Sequence, residues 1–300
     1  MISSPVLHRL QRRHFLLFDI GPAIGTVAAL ALAAVRPPSW TDLALFAGFW
    51  LATGLGITVG YHRYFSHRAF AAHPAVAAAL LIMGSMSGRG PMISWAAMHR
   101  RHHELSDKPG DMHSPHPPGA SPMAGWLHAH ATWMLRHDYP NVAHYVPDLL
   151  RNRFWMRLNQ RYRLWVVLGL AAPAAIGGLV SHGLYGALTG FLWGGAVRMF
   201  AVEQAMSSIN SFCHLIGSRP FAVRDHSRNL SVLSLVTWGE AWHNNHHAFP
   251  NSAAFGLRWY QLDPGFWLIR VLAAIGLVRE VRLPTAQQRA AKAEAPGEQG

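Results

Sequence analysis

Four stretches of the chain are long and apolar enough to cross a bilayer, which takes about 20 residues of helix. They constrain the fold before any motif is considered. They run from about Phe15 to Val35, Leu43 to Tyr61, Leu164 to Val180 and Leu184 to Ala205. Charged residues make up 13 % of the chain and apolar residues 51 %, whereas a soluble domain averages about 25 % charged. Mean hydropathy is only +0.12, so a polar part must sit outside lipid. No alternating strand pattern is visible. The expected fold is therefore all-α: an integral membrane protein of four transmembrane helices carrying a helical cap. A weaker apolar run, Ala75 to Met86, reads as a buried or interfacial helix.

Basic residues set the orientation. The loop after the first stretch holds only Arg36, and the loop at Ser181–Gly183 holds no Lys or Arg, whereas the N-terminus, the 62–163 region and the segment after 205 are rich in Arg. By the positive-inside rule the termini and the polar regions face the cytoplasm. Residues 1–14 are a cytoplasmic N-terminal segment, 15–282 the membrane domain, and 283–300 a tail without aromatics, disordered or a frayed helix. The net charge of +12 fits an anionic membrane surface or an anionic substrate. Nothing reads as a nucleic-acid-binding module. The single cysteine, Cys213, excludes an internal disulfide and a Cys₄ metal site.

The 20 histidines outnumber the 14 acidic residues, and nine of them are clustered. The clusters are His62 with His67, His99 with His102 and His103, His243 with His246 and His247, and His214 one turn after Asn210. Helical residues three or four apart share a face, so His99 and His103, and His243 with His246 and His247, can each aim two imidazoles at one point. His62 and His67, five apart, fit a regular α-helix poorly; they use a distorted turn or serve different metals. Imidazole suits iron, copper, nickel and zinc, and nine clustered histidines exceed what one centre of about four to six ligands takes. Two metals are favoured. The isolated His8, His14, His73, His137, His144 and His182 are read as incidental. His113, His116, His128 and His130 include candidates for supporting groups.

The boxes Tyr61-His62-Arg63-Tyr64-Phe65-Ser66-His67, His99-Arg100-Arg101-His102-His103, Asn210-Ser211-Phe212-Cys213-His214 and Trp242-His243-Asn244-Asn245-His246-His247, in this order, resemble those of membrane fatty acyl desaturases of the stearoyl-CoA Δ9 type. The segment Ser106–Pro115 resembles the bacterial branch, which implies a bacterial inner membrane. The resemblance implies two iron ions held by His62, His67, His99, His102, His103, His214, His243, His246 and His247, with Asn210 acting through a water. It implies an O₂-dependent insertion of a cis double bond, at Δ9, into a long-chain acyl group as part of unsaturated fatty acid biosynthesis. Animal acyl-CoA enzymes carry an Arg-Asp pair where Ala97 and Met98 stand here, so an acyl-CoA or an acyl lipid is left open as carrier. The sequence has no cytochrome b5-like stretch, so electrons are expected from a separate ferredoxin, rubredoxin or cytochrome b5-like protein with its reductase.

By family position, Trp50 and Gly54 are candidates for the closed end of an acyl tunnel. Trp50 precedes His62 by twelve residues, about 18 Å of helix. Arg63, Arg68, Arg100, Arg101 and Arg136 are candidates for contact with a headgroup or redox partner. Two competing readings are a membrane di-iron hydroxylase or alkane monooxygenase, and a metal transporter. The transporter would need ionisable groups within the spans, where Arg198 and Glu203 are the candidates.

Overall fold

The computed structural model describes residues 1–135 and 137–293; Arg136 and residues 294–300 lie outside it. Three helices are long and apolar enough to cross a membrane: α1 (Pro5–Val35), α2 (Trp40–Ser66) and α7 (Tyr162–Ser181). Each boundary has a local cause. Ser4 caps α1 with Pro5 at its first position, and Arg36-Pro37-Pro38 ends it. Ser39 and Asp42 form a reciprocal capping box that starts α2. His182 in the left-handed conformation (φ 53°) stops α7.

Between the second and third of these helices lie α3 (Pro74–Met86), α4 (Met92–Leu105), α5 (Pro122–His130) and α6 (Arg153–Gln160). The helical run α8 follows as Leu184–Gly190, Phe191–Val197 and Arg198–Ser211, through the stretch expected to be a fourth span. Gly177 on α7 and Gly186 on α8 meet so closely that a Cβ on either would overlap the other's carbonyl. This is the small-residue crossing by which membrane helices bring their backbones together. Three short helices complete the chain: α9 (His243–Ala248), α10 (Pro264–Ala274) and α11 (Ala286–Lys292). The only paired strands among the described residues are Ala71–Ala72 and Val278–Arg279.

The tail is more ordered than disorder would have it. Of the two expectations for residues from 283 onward, disorder or a frayed helix, Ala286–Lys292 is a capped helix, α11, because Thr285 and Gln288 make a second capping box. Lys292 then donates to the Ala248 carbonyl at 2.6 Å. The part of the expected tail from 294 on lies outside the described residues.

The charges in α8 are internal ties. Arg198 donates to the carbonyls of Gly194, Met86 and Gly169 at 2.7–3.1 Å, and Glu203 pairs with Arg89 and accepts from Ser207.

Arg63, expected at the surface, is fully buried. It grips Asp263 at 2.8 and 3.1 Å, donates to the Ala253 carbonyl and lies over the Phe255 ring. Removing one partner of a buried ion pair strands the other charge, at a cost of about 3–5 kcal/mol. Arg63→Met should therefore lower the unfolding temperature in detergent strongly, whereas Arg279→Met at an exposed position should leave it unchanged.

Candidate dimetal centre

The site begins with an irregularity in α2. From Gly56 to Ser66 the helix widens into π-type turns, in which hydrogen bonds run between residues five apart. The His67 N–H accordingly donates to the His62 carbonyl at 3.1 Å. A five-residue spacing then closes one turn, and the two rings stand 5.0 Å apart. The distorted turn, and not service to separate metals, resolves the awkward spacing.

The imidazoles sort into two groups. His62, His67, His99, His103 and His246 place ring nitrogens within 4.8 Å of one another, and His102, His214, His243 and His247 do the same. On α4, His99 and His103 are one turn apart and serve the first group, while the adjacent His102 points to the second. On α9, His243 and His247 serve the second group and the adjacent His246 the first. Both helices therefore straddle the two groups, which meet where the His103 and His247 rings come within 4.5 Å.

Carboxylates orient the rings from behind. Glu240 lies 2.5 Å from His62 Nδ1, Asp107 2.7 Å from His214 Nδ1, Asp225 2.8 Å from His247 Nδ1 and Asp111 3.0 Å from His102 Nδ1. A carboxylate accepts a hydrogen bond from Nδ1–H, so each of these imidazoles presents an Nε2 lone pair inward. Thr58 donates to Glu240. Trp95 stacks on His99, and Phe255 packs on His246.

The inward nitrogens fit a cation. His62 Nε2 faces His246 Nε2 at 2.9 Å, and His214 Nε2 faces His243 Nε2 at 3.0 Å. With His62 and His214 each donating an Nδ1–H hydrogen bond to a carboxylate, their Nε2 nitrogens carry lone pairs converging on common points. His247 Nε2 is buried without any partner. Imidazole–metal bonds of about 2.0–2.1 Å at right angles put neighbouring nitrogens about 3 Å apart, which matches the spacing seen. Burial, and then the proximity of other imidazoles, holds His99, His103, His243, His246 and His247 well below the usual histidine range. They stay neutral, as ligation requires. His102 is raised: burial alone would lower it, but the Asp111 charge and hydrogen bond outweigh burial. Burial would raise Asp107 and Asp111, yet His214 and His102 respectively hold them well below the usual carboxylate range.

The other expected residues have mixed outcomes. Asn210 lies half-buried one turn before His214. His116 reaches the His214 carbonyl at 3.1 Å, and His113 packs on His102 and lies 3.8 Å from Asp111. His128 binds the Met112 carbonyl, and His130 contacts Ser211 and Gln204. Trp50 packs on the buried Trp238 with ring centroids 4.6 Å apart and planes tilted by 40°, and Gly54 makes room for that indole, which a Cβ would overlap.

Arg100, expected to face a headgroup or partner, instead clamps Asp148 and the carbonyls of Phe65, Ser66 and Tyr145. Arg101 is buried on the Gly110 carbonyl. Arg68 remains exposed, paired with Asp148. The expectation for Arg136 falls outside the described residues. Ala97 is fully buried in an apolar cluster with Tyr61 and Phe65, so its position offers nothing to an acyl carrier.

The four orienting carboxylates went unread in the sequence. Their signal was available: a chain with 14 acidic residues places Asp107 and Asp111 just after the second box and Glu240 just before the third.

Comparison with known proteins follows the same lines. A family model described as fatty acid desaturase matches residues 38–279. The chain is 46 % identical over 296 residues to a hex-5-enoyl-[acyl-carrier protein] acetylenase of Moorena producens (strain JHB), covering 97 % of this chain and 92 % of that protein. It is 35 % identical to a delta-9 acyl-lipid desaturase 2 of Arabidopsis thaliana, covering 88 % and 82 % respectively. It is 33 % identical to an icosanoyl-CoA 5-desaturase of Limnanthes douglasii, covering 90 % and 74 %.

Proposed function

Since the chain belongs to the fatty acid desaturase family and is an oxidoreductase acting on acyl chains, we propose that it inserts a cis double bond, at Δ9, into a saturated acyl chain at the expense of O₂. The observation that carries this reading is the pair of buried, abutting imidazole groups. Balanced, two hydrogens leave adjacent carbons, and O₂ takes these with two further electrons and two protons to give two waters. The electrons come from a separate reductase-linked donor such as a ferredoxin, rubredoxin or cytochrome b5-like protein.

His62, His67, His99, His103 and His246 would hold one iron, and His102, His214, His243 and His247 the other, with Asn210 through a water. Bound there, the irons supply the oxidising power that an unactivated methylene requires, because no side-chain base can break such a bond. The chain's own residues do the rest. Glu240, Asp107, Asp225 and Asp111 fix ring orientation and tautomer. Trp95 and Phe255 cover the first imidazole group and help to exclude water from it. The polar face and termini lie on the cytoplasmic side of a bacterial inner membrane, with α8 as a fourth span. This is supported by the asymmetric placement of arginine.

The carrier is a lipid or an acyl carrier protein in preference to CoA, because Ala97 and Met98 replace the pair that resembles a CoA clamp. A second reading is favoured by the 46 % identity to an acetylenase: the same site removes hydrogen from an existing alkene to leave a triple bond. Expression in a host lacking unsaturated lipids, followed by fatty-acid analysis with His243→Ala as control, separates the two. A cis monoene from saturated chains supports desaturation. A triple bond formed only when an alkenoyl substrate is fed supports the second reading. An alcohol product would mean hydroxylation and would falsify both.

The pair formed by Trp50 on α2 and Trp238 in the segment before α9 is assigned to the closed end of the acyl channel. Trp50→Ala removes an indole there, so longer chains should be accepted and the product distribution should move to greater length. Unchanged product length and bond position would remove this assignment.

A further inference from the structure

Outside the spans, apolar surface collects on α10 and the loop before it. α10 buries Gly265 and Ile269 and turns Trp267, Arg270 and Val271 outward, with Ile275 just beyond its end. These positions recur at intervals of three and four and so form one face. Val271 is 59 % and Ile275 63 % exposed, and Trp259 in the preceding loop is 94 % exposed. Large apolar side chains exposed together along one helix face mark contact with something other than water.

Depth identifies the occupant. Ile269, Phe266 and Leu268 of α10 share an apolar cluster with Leu55 and Val59 of α2. α2 starts at Trp40, which is 87 % exposed. A hydrocarbon layer of about 30 Å takes about 20 residues of helix, and so extends from Trp40 to about residue 60. Leu55 and Val59 fall inside that length. Leu51, 46 % exposed, lies one turn deeper, about 6 Å along the axis. α10 therefore packs at the level where the lipid-facing surface of α2 ends, and its outward face continues that surface. Trp and Tyr concentrate at this depth, and Arg270 can extend its guanidinium to the headgroups while its stem stays in apolar surroundings.

We propose that α10 and the Trp259–Tyr260 loop form an interfacial anchor, lying in the bilayer surface on the side of the imidazole groups. The anchor is coupled to the site. Asp263 caps α10 and grips Arg63, the neighbour of His62, so the depth of α10 in the interface fixes the depth of the site beneath the membrane.

The test reads depth and needs no turnover, so it stands or falls independently of the proposed reaction. The one native cysteine, Cys213, is fully buried, so a thiol-reactive spin label reports only introduced cysteines. Val271→Cys and Ile275→Cys are labelled in the full-length protein in nanodiscs containing anionic lipid. Leu179→Cys on α7 serves as the lipid-facing reference and Gln287→Cys on α11 as the water-facing one. At positions 271 and 275, collision with a polar nickel chelate should be about fivefold or more below that at 287, with oxygen accessibility close to that at 179, because the bilayer excludes the chelate. Values matching position 287 would overturn the proposal. Shielding from both the chelate and oxygen would also overturn it, since that is the signature of a protein partner or a second copy covering the face.

Discussion

His246→Ala should abolish turnover and empty one metal position while leaving the other filled. His246 is fully buried and its Nε2 faces both His62 and His103, at 2.9 and 2.8 Å, so its loss opens the five-histidine group at its centre. The four-histidine group keeps His102, His214, His243 and His247 with their carboxylates. Metal analysis of the purified variant should therefore give about half the wild-type iron, with activity down by about three orders of magnitude or more, because a redox metal centre lacking one metal has no alternative route to the same chemistry. His243→Ala should do the reverse, emptying the four-histidine position. Equal loss of both metals from each variant would contradict the division into two groups, and unchanged iron in both would contradict ligation.

Glu240→Gln is expected to produce the next largest effect. The Glu240 carboxylate accepts from His62 Nδ1 and from Thr58, and it lies 3.9 Å from the Arg63 guanidinium. Glutamine keeps the shape but removes the charge that fixes the His62 tautomer and strengthens it as a donor to metal. Loss of such an orienting partner typically costs about 10- to 100-fold in metal affinity. Competition with a chelator measures this directly, and the loss should fall on the five-histidine position. Glu280→Gln, at an exposed site distant in sequence from the boxes, should leave both affinities unchanged. If Glu240→Gln retains wild-type affinity at both positions, the carboxylate is a packing element and its orienting role is wrong.

The sequence made one layer of this arrangement legible. Histidines three or four apart on α4 and α9 had to share a face, and that local rule needs no tertiary knowledge. The division into two groups was not legible, because His102 and His103, adjacent in sequence, diverge to different groups only once α4 is placed between α2 and α9. The π-type turns in α2 were hidden as well: Gly56 and Gly60 tolerate close approach of Gly84 and Leu80, but composition alone does not announce a change in helical pitch. Arg63 and Arg100 were misplaced because an arginine beside a membrane helix is usually a surface group, and the partners that hold these two, Asp263 and Asp148, lie far away in sequence. The tail left disorder and a frayed helix both open, because an Ala- and Gln-rich stretch resembles unstructured chain by composition, although Thr285 and Gln288 carried the start signal that decides for α11.

His102 beside His103, and His246 beside His247, make two helices shared ribs between neighbouring compartments. The gap separating the compartments is then set by consecutive α-carbons, whose distance no loop movement or rotamer change can alter. Any motion that admits or releases an acyl chain must carry both compartments as a rigid pair, and looseness introduced in either rib is felt in both at once.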